Sequence, residues 1–540
     1  MLNFLINHKS KTVNKSAGIL TISAILSRVL GVLRDWLLAK NFGASAELDV
    51  YFTAFKVPDF IYNILILGGM LVSFLPLFSD YFSENKKKAW NFTSNLLNIF
   101  ISFLLFLSLT LFFFIPSLMD LIAPGFNYQQ TQQGILLTRI MLLSPIFFGL
   151  SSIFSGILQY FKRFLIYSLC PIIYNLSIIL GILFLAPHFG ILGVVIGVIV
   201  GAFLHFLIQI PSVLKSGFDY KFIFDLNDKK IKKVFNLMLP RMFGVSAQQI
   251  NLIVINAIAS TLEKGSITIF NFANNIQYFP IGIVGVPFAV AVFPVLSRNW
   301  AQKEKEKFVD NFSSSFNKIV YLVFPVTGLI FVLRQEIVDI LLENGLFSAL
   351  SGKLSAASLA LFCLGVFAST LIPLLFRAFF SFKDTKTPTL IAVFSVIVNV
   401  ALSYLFSSDW FYLHEKLREI FSFNGSVDVS VLGLPLAFSI STLLQFFLML
   451  LFLKRRIKKI NLKEIWINFL KVLFSTLILI LSGYLLRFLI GEILEFHSLI
   501  IDFIQVLIIG VVGILIYLLV SFVLSIPTAD LILKKVFNEN

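Results

Sequence analysis

The sequence predicts an all-α polytopic membrane protein: about fourteen transmembrane helices, arranged as two six-helix lobes related by an internal repeat, plus two C-terminal helices. Three observations predict it. Of 540 residues, 58% are hydrophobic and only 13% charged, against about 25% charged in soluble domains. The mean hydropathy of +0.93 leaves more apolar surface than a soluble core absorbs. Apolar runs of about 20 residues, the length that crosses a hydrocarbon layer, recur along the entire chain.

These runs centre on 17–40, 52–82, 91–117, 135–160, 164–187, 189–214, 234–261, 268–297, 314–334, 354–381, 387–407, 428–453, 464–488 and 499–525. An even count puts both termini on one side. Alternate loops are basic: the N-terminal tail, Lys86–Lys88, Lys162–Arg163, Lys215–Lys233, Arg298–Lys307, Lys383–Lys386, Lys454–Lys463 and Lys534–Lys535. They hold roughly 28 of the 43 Lys+Arg, whereas the opposite loops hold about seven, and the positive-inside bias then makes both termini cytoplasmic. The net charge of +15 is thereby accounted for without nucleic acid. Lys9, Lys11 and Lys15 precede the first run and no small-residue cleavage site follows it, which reads as a retained helix.

The expected organisation is a cytoplasmic tail at 1–16, an N-lobe at 17–216, a basic linker at 217–233, a C-lobe at 234–455, two further helices within 464–526 and a cytoplasmic tail at 527–540. An outside loop near 407–427 carries Trp410, Phe411 and Tyr412. An amphipathic cap at the membrane surface and a plain solvated loop fit it equally. The repeat is read from Phe74–Ser79 (F-L-P-L-F-S) against Val292–Ser297 (V-F-P-V-L-S). A second echo pairs Tyr160-Phe161-Lys162 with Ser381-Phe382-Lys383, each followed by an Asn-bearing span (Asn175, Asn399). Repeats are common in transporters, with the substrate site at their interface.

Charges inside the spans are the functional signal. Arg28 and Arg34 lie within the first run, with Asp35 adjacent, Asp49 opening the second and Lys56 following it. An Arg or Asp at mid-bilayer costs roughly 2.5–3.5 kcal/mol on insertion scales, so such residues face a wet cavity, find a partner or snorkel. Guanidinium forks suit phosphate oxygens, which makes a cationic cavity for an anionic headgroup the functional reading. Arg139, Arg241 and Arg377 sit near span ends, where interfacial anchoring competes with transport. Gln248, Gln249, Asn251, Asn256, Asn271, Asn274 and Asn275 either line a cavity or bond helix to helix. Interior acids are too few for a carboxylate proton relay. Cys170 and Cys363 read as small core hydrophobes. No nucleotide-binding loop, metal-ligand cluster or nucleophile–base pair appears, so neither an enzyme nor a cofactor is expected.

The stretch Ser27–Pro58, S-R-V-L-G-V-L-R-D…F-G…L-D-V-Y-F-T-A-F-K-V-P, resembles the MurJ (MviN) family, the lipid II flippases of the MOP exporter superfamily. So do Phe74–Ser79, Gly244–Ile250 (G-V-S-A-Q-Q-I), Phe279–Val286 (F-P-I-G-I-V-G-V) and Lys383–Pro388 (K-D-T-K-T-P). The resemblance runs from about Lys15 to Ile526. It implies two lobes that rock around a headgroup cavity, a groove for the polyprenyl tail on the last two helices, and flipping of undecaprenyl-pyrophosphate-linked peptidoglycan precursor across the bacterial cytoplasmic membrane. Arg28, Arg34 and Asp49 match family positions that matter for flipping; Lys56, Asn274 and Asn275 complete the expected substrate-binding set. No partner beyond lipid II and membrane lipids is implied, and a monomer suffices.

The chain also departs from the family pattern. Pro58–Asn63 lacks the arginine pair that often follows the second-span proline, Leu67-Gly68-Gly69 stands for E-G-A, and Ala273-Asn274-Asn275 stands for A-D-R. The Asn/Asp pair that holds sodium in some members is Asn399 and Ser403 here, leaving Asn399 as a weak sodium candidate. Fewer cations fit either a divergent lipid II flippase or one for another polyprenyl-linked oligosaccharide. A MATE-type drug/cation antiporter would require more interior acids.

Overall fold

The computed structural model describes residues 13–408, 412–457, 462–493 and 499–529. Among them there is no β-strand. The long helices are α1 (Val13–Phe42), α2 (Ala46–Glu84), α3 (Lys86–Ile122), α4 (Tyr128–Tyr160), α5 (Phe164–Phe189), α6 (Ile191–Leu214), α7 (Lys229–Ser260), α8 (Ser266–Ala301) and α9 (Lys305–Val332). After the short α10 (Arg334–Leu341) come α11 (Ala349–Ser381) and α12 (Lys386–Ser407). The short α13 (Leu413–Ile420) is followed by α14 (Ser430–Arg456), α15 (Leu462–Ile493) and α16 (Leu499–Val523). Twelve of these are long and apolar enough to cross a membrane. With α1 and α7, which carry more charge, they coincide with the fourteen expected spans. Such helices satisfy every backbone group internally, as a bilayer demands.

The chain forms two compact units that divide between Ile267 and Thr268. The first therefore includes α7, which the sequence pattern groups with the C-lobe. Asn256 on α7 donates to Thr53 Oγ1 at 3.1 Å and to the Ile122 carbonyl at 3.1 Å. These bonds lock it onto α2 and α3, and hydrogen bonding inside a lobe is therefore the role of Asn256.

Internal duplication is visible in the backbone. Wide π-helical turns interrupt α2 at Tyr62–Met70 and α8 at Ile281–Gly285, each ahead of its proline, Pro76 or Pro294. Lys162 and Lys383 both adopt left-handed backbone, with φ of 57° and 60°. The next amide closes the same ring in each: Arg163 N to the Leu158 carbonyl at 2.8 Å, and Asp384 N to the Phe379 carbonyl at 3.2 Å. Both are six-to-one helix endings of the Schellman kind. The sequence echo Tyr160–Lys162/Ser381–Lys383 is thus one turn used twice.

Phenylalanine fills both cores. Phe74, Phe78, Phe92 and Phe100 are fully buried in the first unit; Phe308, Phe312, Phe379 and Phe446 are buried in the second. Phe161 stacks near Trp90 at 6.1 Å between ring centroids, and its repeat counterpart Phe382 meets Trp300 at 4.3 Å. Smaller residues let backbones approach, as membrane helices require. A methyl on Gly193 (α6) would sit 2.4 Å from the Leu185 carbonyl carbon of α5.

Tyr412 leads into α13, where His414 and Leu417 are buried while Tyr412 and Ile420 are each 68% exposed. Trp410 and Phe411 lie outside the described residues.

Candidate functional site

Helix α1 is fastened to α5 by a polar ladder. Ser23 Oγ donates to Ser168 Oγ at 2.9 Å; Asn175 Nδ2 donates to the Ser27 carbonyl and hydroxyl at 3.3 Å each; Arg34 Nη1 donates to Asn175 Oδ1 at 3.2 Å. At 100° per residue, positions 23, 27 and 34 lie within about 40° of one another on the helix surface. Apolar α1 residues on other faces, such as Ile22 and Val29, are exposed in the chain by itself, as lipid-facing residues are.

Arg28 stands one residue round from the ladder. It lines a cavity of about 560 Å³ contained within the first unit. Hydroxyl-bearing residues make up half of its lining: Ser23, Ser27, Ser151, Ser152, Ser155, Ser168, Tyr62 and Tyr167 border it, together with His205 and apolar side chains such as Ile66 and Phe148. Tyr62 enters from the π-helical turn of α2, a distortion that recurs at functional sites. No carboxylate is among the lining residues. An arginine set in a wall of serine and tyrosine hydroxyls suits an anionic ligand rich in hydroxyls.

The wall is held by a buried network between α4 and α6. Ser151 Oγ lies 2.7 Å from His205 Nδ1 and accepts a short bond from Gln209 Nε2; Ser155 Oγ donates to Gln209 Oε1 at 3.1 Å. Which of Ser151 Oγ and His205 Nδ1 donates is set by the imidazole tautomer. Ser151, Ser155, Tyr62, His205 and Gln209 were not expected from the sequence. The one usable signal was His205 itself, an ionisable residue in a run that is otherwise apolar.

The other expected residues are not gathered there. Arg34 is gripped by Asp35, with Nη2 and Nε 2.7 and 3.0 Å from Oδ1, and by Asn175, and it does not border the cavity. Asp49 is only 4% exposed and accepts from Gly265 N at 2.6 Å, so its hydrogen bond ties the start of α2 to the loop between α7 and α8. Gly265 has a φ of +92°, and a Cβ there would strike the Ala44 carbonyl at 2.5 Å. Asp49→Asn is expected to weaken this charge-assisted clasp by about 1.5–3 kcal/mol, read as a lowered thermal midpoint of the purified protein. Lys56 lies one turn before Asp59 on α2 and is not a cavity residue. Asn274 on α8 accepts from Gln277 Nε2 at 2.9 Å, and Asn275 beside it is exposed. Arg139 lies over the Phe112 ring at 4.5 Å and donates to the Phe112 carbonyl at 3.1 Å, an anchoring contact.

Asn399 is buried in the second unit. Its Nδ2 donates to Ser441 Oγ at 2.8 Å, and its Oδ1 accepts from Ser403 Oγ at 3.1 Å. The side chains that would have to turn oxygens toward a cation thus satisfy each other. Among the described residues no group of three or more His, Cys, Asp or Glu is placed to hold a metal ion.

Residues 38–504 match the family model described as "Lipid II flippase MurJ". A "Probable lipid II flippase MurJ" of Vibrio cholerae is 26% identical over 78% of this chain and 82% of its own length. A "Lipid II flippase MurJ" of Burkholderia cenocepacia is 27% identical over 73% of this chain and 78% of its own. A solved structure titled "Lipid II flippase MurJ, inward closed conformation" superposes with a TM-score of 0.75 at 26% identity, covering 95% of this chain and 99% of that one. An inward-facing MATE-family multidrug transporter of the MOP superfamily shares the fold, with a TM-score of 0.65 at 15% identity over 81% of this chain and 95% of that one.

Proposed function

The chain belongs to the MurJ family of lipid II flippases, and from that membership we propose that it carries lipid II from the inner to the outer leaflet of the bacterial cytoplasmic membrane by alternating access. The observation that supports this reading in the chain itself is the cavity of the first unit, where Arg28 stands among serine and tyrosine hydroxyls. Arg28 binds a pyrophosphate oxygen; Ser151, Ser152, Ser155 and His205 meet sugar hydroxyls. Arg34 and Asn175 hold α1 in register, and Asp49 clasps the start of α2. Lys56, Asn274 and Asn275 take the remaining headgroup contacts. Both termini are cytoplasmic, following the basic loops, and the protein acts as a monomer.

The single guanidinium on the cavity wall also favours a second reading, a flippase for a different polyprenyl-linked oligosaccharide. The two separate in a bacterium whose own lipid II flippase is shut off and which expresses this chain. Lipid II cleaved by an externally added lipid II-degrading toxin, with continued growth, is the expected result. Lipid II that stays protected despite good membrane levels of the chain overturns the lipid II reading in favour of the second.

Sodium coupling is not part of the proposal, because Asn399, Ser403 and Ser441 satisfy one another. Replacing external sodium by potassium is expected to change the flipping rate by less than about twofold, whereas coupling at a site built to bind the ion would be worth roughly tenfold or more.

A further inference from the structure

The second unit contains another cavity, lined by none of the site residues discussed above. Its volume is about 630 Å³, and α10, the first turns of α11, residues 421–423, the last part of α15 and the start of α16 enclose it. Helices α9 and α11 both run away from it, toward the basic turns at Arg298–Lys305 and Lys383–Lys386. It therefore opens at the opposite end of the unit, about 40 Å away along a 28-residue helix.

Cations are scarce on that side of the sequence, yet Arg334, Lys353 and Arg487 all border this one space. Arg487 Nε pairs with Glu336 Oε1 at 2.6 Å. Arg334 Nη1 is held by the Phe331 carbonyl and the Tyr484 hydroxyl, each at 2.7 Å, and not by an acid. Lys353 is exposed and has no ion-pair partner among the described residues. Facing them on α10 and just beyond is a carboxyl pair one helical turn apart, Asp339 and Glu343. These two hydrogen-bond to each other, and Gln335 Nε2 donates to Asp339 Oδ1 at 2.7 Å. Asp502 of α16 borders the same space and adds a like charge. Two carboxyls can hydrogen-bond to each other only if they share a proton. Burial and the neighbours Glu343 and Asp502 raise Asp339 to about 8.

We propose that this cavity binds a zwitterion, its phosphate or carboxylate taken by Lys353 and Arg334 and its ammonium by the Asp339–Glu343 pair. Both halves of the site exist before the ligand arrives, on the lining of one space of small-molecule size. A lone anion would leave the carboxyl pair clamped on its proton, and a lone amine would leave Lys353 unmatched. The ammonium takes the place of the shared proton, so binding strengthens as pH rises through about 8 and releases about one proton. Among the described residues, the other charged groups around the pair are Glu336, Arg487, Arg334, Lys353 and Asp502. Two sources offer this chemistry: an ethanolamine-phosphate lipid headgroup at the membrane surface, and a soluble amino acid or peptide. The inference does not depend on which lipid-linked sugar the protein flips.

The purified full chain in detergent is titrated with O-phosphoethanolamine, inorganic phosphate, ethanolamine, phosphocholine and alanyl-alanine, read by thermal shift and calorimetry between pH 6.5 and 9. Phosphoethanolamine or alanyl-alanine is expected to bind at least tenfold more tightly than phosphate, ethanolamine or phosphocholine, with the affinity for phosphoethanolamine, whose amine stays protonated over this range, rising with pH. Lys353→Gln and Glu343→Gln should each weaken that binding about tenfold; Lys353 is exposed, so K353Q leaves the fold intact. Native mass spectrometry from nanodiscs separates the sources. Retained phosphatidylethanolamine that K353Q loses supports the lipid; alanyl-alanine binding without retained lipid supports the soluble ligand. Equal affinities for the zwitterions and their separate halves, binding unchanged in K353Q and E343Q, or no binding at all overturns the proposal.

Discussion

Arg28→Ala is expected to lower the rate at which lipid II reaches external toxin by roughly 10- to 100-fold at matched membrane levels. That is the value of about 1.5–3 kcal/mol for a hydrogen bond to a charged group. Arg28 supplies the charge of its cavity, and no second Lys or Arg borders the space among the described residues. Arg28→Lys keeps the charge but not the two-pronged fork, so about a tenfold loss is expected. Arg34→Ala should behave differently. Its guanidinium is engaged by Asp35 and Asn175, and the loss should show first as a lower thermal midpoint. Flipping at the wild-type rate in the Arg28→Ala variant would remove the headgroup role assigned here.

The second large effect is structural. Gly193→Val is expected to destabilise the first unit by about 3 kcal/mol or more, at the upper end of overpacking costs. Its Cβ would lie 2.4 Å from the Leu185 carbonyl carbon and 2.6 Å from Ala186 N, backbone atoms that cannot swing aside. One turn further on, a Cβ on Gly197 would lie 2.9 Å from the Ser177 carbonyl oxygen, so the seam between α5 and α6 is close-packed there too. Because α5 also carries Ser168 and Asn175, which hold α1, the cavity wall should loosen together with the seam. Gly31→Ala on α1 is the control: nothing lies within 4 Å of its Cβ position, and replacing a helical glycine by alanine favours the helix by roughly 1 kcal/mol. Thermal unfolding of the purified variants separates the two, and equal midpoints would refute the close-packing argument.

The sequence by itself determined the spans, their even number and the duplication. These follow from hydrophobic run length, loop charge and turn chemistry, which are local or simply periodic. The left-handed lysines at 162 and 383 show how far this reaches, since an echo of three residues marked the same helix ending twice. Arg28 was legible for the same reason: an arginine deep in an apolar run requires an explanation wherever the helix lies.

Only the tertiary structure decided which charges work together. Arg28 and Arg34 are six residues apart in sequence, yet one borders a cavity and the other is bound to α5. The partner that separates them, Asn175, is 141 residues from Arg34. Asp49, which opens the second span, is hydrogen-bonded to the amide of Gly265, 216 residues along the chain. The hydroxyl wall was equally hidden, because serine is unremarkable in a membrane helix until three helices place their serines around one space. Placing α7 in the first unit likewise depended on Asn256 reaching Thr53 and Ile122. A bilayer solvates apolar faces almost indifferently, so hydropathy says that a helix crosses and not what it packs against. That choice rests on polar bonds and close backbone contacts between distant segments, and these exist only once the chain has folded.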